Sequence, residues 1–247
     1  MTRKSQTALP LVRSLTKFGA ALLGAAAIAA PAQAGTITFE SANPYDVFGS
    51  GDTYSESGYK LTFEAYNPSE VGTGVGSIID SSDPDSCMNT SCPNNGSLFY
   101  GAFNDSIVIL NSATNGAQFQ LKSIDASFIG AGALLDNFPI VSGYLRMLGV
   151  FADNNYVRFD IPLYGPDDTG FSFDSWTMSP AIAALNFVQI EMFGFVCSDV
   201  SCSAFSSNEA QFAIDNIVLA EVPEPATTAI FGLGLMALIA GARRRKA

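Results

Sequence analysis

From residue 35 to residue 221, apolar and polar positions alternate in short runs, each cut off by Gly, Asn, Asp, Ser or Pro. A period of two marks a strand with one buried face, and nothing in this part of the chain shows the 3.6-residue period of a helix or a heptad repeat. The pattern predicts strands over 36–40, 60–65, 106–110, 117–129, 143–152, 156–161, 186–195 and 210–219. In 186–195, Val188, Ile190 and Met192 take one face and Gln189 and Glu191 the other, as a half-buried antiparallel strand requires. In 118–128 the apolar phase switches from Phe119 and Leu121 to Ile124, Ala126 and Phe128, which predicts a bulge near Lys122-Ser123. Together with 19 Phe and 22 Gly in the chain, these short strands predict an all-β fold, a two-sheet antiparallel β-sandwich of jelly-roll type. The stretch 67–101, rich in Gly, Ser, Asn, Asp and Pro, reads as a long ordered loop with a function of its own.

Both ends depart from this pattern. Arg3, Lys4, Arg13 and Lys17 precede an apolar segment over 18–30, and Ala32-Gln33-Ala34 follows as a small-x-small sequence. This layout predicts a signal peptide over 1–34, cut so that Gly35 becomes the N-terminus. The apolar segment is short for a membrane-spanning helix, and Pro31 interrupts it. At the other end Val222, Pro223, Glu224 and Pro225 lead into 226–242, which holds no charge, and then into Arg243, Arg244, Arg245 and Lys246. As a helix, 226–242 reaches roughly 25 Å, which predicts a single transmembrane helix in the precursor. The basic cluster stays cytoplasmic and places everything before Pro223 across the inner membrane. Three parts follow: a signal peptide over 1–34, an exported β-sandwich over 35–221, and a sorting segment over 222–247.

A Pro-Glu-Pro, an apolar run and a basic cluster, in that order at the C-terminus, resemble the PEP-CTERM sorting signal of Gram-negative bacteria with exopolysaccharide systems. The resemblance implies recognition and cutting by an exosortase, a transient anchor in the inner membrane, and release to the cell surface or extracellular matrix. Gln211-Phe212-Ala213-Ile214-Asp215, just ahead of the tail, resembles the QFxxD subset of those proteins.

Charge narrows the chemistry. The chain carries a net charge of −11, and between the two end segments only Lys60, Lys122, Arg146 and Arg158 stand against 22 of the 23 acids. Such a surface repels phosphate backbones, so nucleic acid is excluded as a partner while cations are favoured. The chain has no histidine, which removes the Ser-His-Asp and Cys-His schemes and nearly every catalytic zinc ligand set. Asp153, Asp160, Asp167 and Asp168 are spaced so that nothing fixes a glycosidase pair. The expectation is a protein that is not an enzyme.

Cys87 with Cys92, and Cys197 with Cys202, lie in polar, turn-rich sequence. In an exported domain they read as two loop-closing disulfides, with a four-cysteine zinc site as the alternative. The domain also resembles calcium-bearing jelly-roll carbohydrate-binding modules, in which an early Phe-Glu and a late Asp on the last strand hold a structural ion. That resemblance implies Ca²⁺ at Glu40 and Asp215, with Asn216 where many of those modules have a second Asp. Trp176, the only tryptophan, is the candidate for stacking on a sugar. The reading is an exported surface or matrix protein acting by adhesion or scaffolding; the alternative is a carbohydrate-binding module-like protein with a discrete site for exopolysaccharide or matrix glycans.

Overall fold

The alternating runs become strands, and further strands join them. A computed structural model describes residues 34–67, 74–87, 90–132 and 138–222. In chain order the strands are β1 (Ala34–Ile37), β2 (Val47–Gly49), β3 (Thr53–Glu56), β4 (Tyr59–Ala65), β5 (Gly74–Asp80), β6 (Leu98–Ala102), β7 (Ser106–Ser112), β8 (Phe119–Phe128), β9 (Val141–Val150), β10 (Tyr156–Tyr164), β11 (Asp174–Thr177), β12 (Gln189–Cys197), β13 (Cys202–Ser203) and β14 (Phe212–Glu221). The first sheet runs β11-β8-β14-β6-β5-β2, with β1 also on β14; the second runs β10-β9-β12-β7-β4-β3, with β13 on β12. Every pairing is antiparallel, and the two sheets pack face to face as a sandwich. Ala32, the tail from Pro223 onward and the expected transmembrane helix lie outside the described residues. Among the described residues no helix is long and apolar enough to cross a membrane.

All eight expected strands are present, with shifted ends. Of the others, β2, β3 and β11 are short strands at sheet edges and β13 is two residues long, too brief to show a period. The two strands that cut into the expected loop 67–101 were hidden for a different reason. β5 and β6 are buried on both faces, so neither alternates. Gly76 belongs to that packing, since a Cβ there would collide with the Tyr100 ring. Tyr100 in turn stacks on Phe63 at 4.3 Å between centroids, and Phe63 meets Phe48 at 4.5 Å. These rings fill the middle of the main core, between the inner faces of the sheets.

A second, smaller apolar cluster of Ile79, Phe99, Ile129 and Ala213 lies apart from the main core. Neighbouring residues along a strand face opposite ways, and Ile78, Tyr100, Phe212 and Ile214 all belong to the main core, so the small cluster sits on the outer face of the first sheet. Cys87, Cys92, Phe103 and Phe173 pack over it. The disulfide-closed turn is therefore the lid of a second layer of core.

The expected bulge is present, and it has a counterpart. Asp215 pairs with Asp125, Val218 with Ser123, and Leu219 with Leu121. β14 thus carries an extra residue after Asp215, and β8 carries one at Lys122, which restores the register. Asn216 takes the left-handed conformation at φ 47°, which Asn tolerates better than most residues. The bulge lets Phe212 and Ile214 on one side of it, and Ile217 and Leu219 on the other, all face the main core.

Candidate functional site

Each of the two residues expected to share an ion has hydrogen-bond partners of its own. The first strand stops at Ile37, and Phe39 turns the chain at φ 59° with its ring fully buried. Glu56 holds that turn: its carboxylate accepts from the Thr38 amide at 3.1 Å, the Phe39 amide at 3.0 Å, the Thr38 hydroxyl at 3.0 Å and the Tyr54 hydroxyl at 2.9 Å. Glu40 comes out exposed, beyond the expected strand, and accepts from the Leu98 amide at 3.0 Å.

Asp215 is not a solvated strand-edge residue. It lies on a central strand at 1% exposure. Asn95 Nδ2 donates to it at 2.7 Å, the Ser97 hydroxyl at 3.0 Å, and the Asn216 amide nitrogen at 2.7 Å. Burial pushes its carboxyl up to about 6, against the pull of those donors. Glu40 and Asp215 thus converge on the neighbouring residues Leu98 and Ser97. Ca²⁺ takes oxygen ligands, whereas Asn95 and Asn216 present nitrogens, so an ion fits only if those side-chain amides turn their oxygens inward. Among the described residues no three of His, Cys, Asp and Glu gather as a metal group.

The four cysteines form the pairs Cys87–Cys92 and Cys197–Cys202, which excludes the four-cysteine zinc alternative. Trp176 stands on edge strand β11, half-buried against the main core, with the Tyr164 ring 6.3 Å away. Its indole nitrogen is enclosed with no hydrogen-bond partner among the described residues. The scattered acids have local partners: Asp153 accepts from Asn155, Asp167 from Thr169, and Asp160 takes both Nε and a terminal nitrogen of Arg146 at 2.8 Å. That fork holds the Asp160 carboxyl below its ordinary range.

A group of partly open aromatic rings lies on the outer face of the second sheet. β12 sends Ile190 and Met192 inward and Phe193 and Phe195 outward. The Arg146 guanidinium lies 4.3 Å over the Phe195 ring. After Cys197 the chain reverses through the disulfide hairpin β12–β13, and Phe205, at φ 57°, comes back over the face to within 4.9 Å of Phe193. On its other side Phe205 stacks nearly parallel on Tyr66, at 3.9 Å and 13°. Tyr66 is 53% exposed, so one face of this two-ring stack is open to solvent. A cavity of about 700 Å³ opens beside it, lined by Tyr66, Asp105, Phe205, Ser206 and Asn208 among others.

Sequence reasoning missed this row of rings. One signal was present: Phe193 and Phe195 continue the face on which Gln189 and Glu191 stand, so two large apolar residues occupy a polar face. Tyr66 and Phe205 give no such signal, because they meet only after the sheet brings their loops together.

With this geometry in place, three comparisons bear on the chain. The family model for the PEP-CTERM protein-sorting motif matches residues 221–246. The C-terminal segment carries that motif. No curated protein matches the chain. Among solved structures, a mutant family 29 carbohydrate-binding module complexed with mannohexaose is similar over 77% of this chain and 93% of its own, at 12% identity and a TM-score of 0.31. Another structure of a family 29 module overlaps 77% of this chain and 90% of its own, at 14% identity and TM-score 0.32. An arabinose-bound α-L-arabinofuranosidase overlaps 76% of this chain but 26% of its own, at 10% identity and TM-score 0.36. Superpositions this loose carry no argument about ligand or activity.

Proposed function

We propose that this chain is a non-enzymatic exported protein, sorted through its C-terminal segment, cut by an exosortase and placed at the cell surface or in an extracellular matrix rich in exopolysaccharide. The observation that carries the reading is the sorting motif at residues 221–246. Its first residue is the last residue of β14, Glu221, so the folded domain ends where the address begins. The N-terminal signal fits the same plan. Gly35, the expected mature N-terminus, pairs with Leu219 in the β1–β14 ladder, and removing residues 1–34 leaves three of that strand's four pairings in place. We read the sandwich as a jelly roll and Gln211 to Asp215 as the QFxxD pattern. The deciding experiment is mass spectrometry of the extracellular form: a fragment without 226–247 supports the reading, and an intact basic tail on extracellular material overturns it.

A second reading, a carbohydrate-binding surface, is favoured by one observation, the aromatic row Phe195, Phe193, Phe205 and Tyr66 with Arg146 and Asp160 beside it. Flat rings bordered by polar groups suit a sugar, whose ring faces are apolar and whose rim is hydroxyl. Trp176 is less open than Tyr66, so the glycan site of this reading lies on the second sheet. A structural calcium at Glu40 and Asp215 is retained in the proposal only with the Asn95 and Asn216 side-chain amides turned oxygen-inward.

A further inference from the structure

The two outer faces of the sandwich are finished differently. On the first sheet the apolar patch lies under the chain's own Cys87–Cys92 turn. On the second sheet Leu148 and Val150 of β9, Phe193 and Phe195 of β12, and Ile107 and Ile109 of β7 point away from the main core, since Met147, Met192 and Val108 beside them point into it. They form one patch: Phe193 stands opposite Ile107, and Leu148 and Ile109 flank Glu191 on its two sides. All six are partly exposed and none belongs to either core cluster. Phe205 covers one end, at Phe193. Charge marks the same face. Its outward strand positions carry three cations, Lys60, Arg146 and Arg158, and three acids, Glu64, Asp160 and Glu191, so the face is neutral. The rest of the described residues hold only Lys122 against seventeen acids.

We propose that the outer face of the second sheet is the contact surface for a second copy of this chain, sheet face against sheet face. The proposal gives the scaffolding role a physical contact and does not depend on the carbohydrate reading. Copies of a strongly acidic domain repel one another, and through this face they meet with no net charge on either side. A second copy returns the same neutral, apolar surface, whereas an anionic polymer gains no net attraction from it. The central charges enter the contact already satisfied: Arg146 and Asp160 are forked together, Glu191 accepts from Gln189 at 2.7 Å, and Glu64 accepts from the Ser50 hydroxyl at 2.8 Å. Lys60 and Arg158 are exposed and stand toward opposite margins, on β4 and on edge strand β10, where an interface rim keeps its water. Six strands spaced about 4.8 Å apart, and seven residues along β9 at about 3.4 Å each, give a face of roughly 24 Å by 23 Å, about 550 Å². Two such faces cover about 1,100 Å², the size of a weak specific pair.

The test is sedimentation of the extracellular protein over a range of concentration and salt. A dimer is expected whose association strengthens at least threefold from about 50 mM to about 500 mM NaCl, because salt screens the repulsion between the acidic bodies. The double variant Leu148→Thr with Ile109→Thr, which keeps strand propensity, is expected to associate about tenfold more weakly with a melting temperature close to that of the parent. A second pair, Lys60→Glu with Arg158→Glu at exposed positions, makes the face acidic; its association is expected to fall about tenfold at low salt and to recover at high salt. A protein that stays monomeric to about 1 mM at either salt would overturn the proposal, and so would association that weakens with salt. Association unchanged in both variant pairs would place the contact elsewhere and overturn it too; mass spectrometry of the C-terminus then tells whether a retained apolar tail, the failure of the export reading, is the cause. A monomer that binds a neutral hexasaccharide and loses it in Phe195→Ala would give the face to a glycan instead of a second copy.

Discussion

Asp215 of β14 and Asp125 of β8 stand opposite each other in the ladder, and the side-chain amide of Asn216 is shared between them, 2.8 Å from Asp125 Oδ2 and 3.3 Å from Asp215 Oδ2. Two carboxylates this near each other raise the cost of ionising both. The β14 bulge is what makes the arrangement possible, because it turns Asn216 back toward both acids while Ile217 rejoins the core. Asn95 and Ser97 roof the pair from the disulfide-bearing segment. A buried acid, a bulge and a loop are thereby tied into one unit.

That unit predicts a pH dependence. The folded-state value of about 6 for Asp215 lies above the ordinary 3.9 or so of an aspartate. Between about pH 4 and pH 6 the folded protein keeps a proton that the unfolded chain has lost, so stability falls as pH rises through that window and is level on either side. The drop is on the order of 1–2 kcal/mol, less than the whole shift implies because solvent reaches the roof. Urea unfolding across pH 4–7 should show this slope in the parent and not in Asp215→Asn. Equal slopes in the two proteins would remove Asp215 as the source.

Removing the Cys87–Cys92 bridge by a double Ser substitution should cost about 2 kcal/mol, since the loop it closes is short. It should also uncover Ile79, Phe99, Ile129 and Ala213, so dye binding to exposed apolar surface rises before global unfolding. An unchanged melting curve with no added dye binding would show that the lid holds without the bridge. Peptide mapping without reduction should return Cys87 with Cys92 and Cys197 with Cys202.

Glu56 should matter more than a half-buried surface acid usually does. Its four accepted hydrogen bonds fasten the Thr38-Phe39 turn that seats a fully buried ring. Glu56→Ala leaves two backbone amides without partners and is expected to destabilise the fold by about 2–3 kcal/mol. Thermal melting decides it, and a loss below about 0.5 kcal/mol would mean water replaces the carboxylate.

Calcium is tested by linkage. If Glu40 and Asp215 hold the ion in the folded state alone, calcium at a hundredfold over its dissociation constant adds about 2.7 kcal/mol and raises the melting temperature. EDTA should reverse the gain, and Asp215→Asn should abolish it. A melting curve indifferent to millimolar calcium and to EDTA would leave Asp215 as a hydrogen-bonded buried acid.

Processing has a sharp expected outcome. The mature protein should begin at Gly35 and end within Pro223 to Pro225. Because β1 begins at Ala34, a cut several residues later would remove a strand of the first sheet. An N-terminus beyond Ile37 on folded extracellular protein would therefore contradict the pairing of β1 with β14.

The chain by itself determined the class of fold, eight of the strands and the bulge at Lys122-Ser123, because a strand with one wet face and one buried face writes its period directly into the residues. The sorting segment at 221–246 was legible for a similar reason: its Pro-Glu-Pro, apolar run and basic cluster follow one another directly along the chain. Tertiary structure decided what depends on a second layer or on distant partners. β5 and β6 hid inside an apparent loop because both of their faces are covered and no alternation survives. Asp215 looked like a possible surface residue until Asn95 and Ser97 were seen to close over it. Tyr66, Asp105 and Phe205 carry no common local pattern, and they line one cavity because separate connections of the sandwich bring them to the same place.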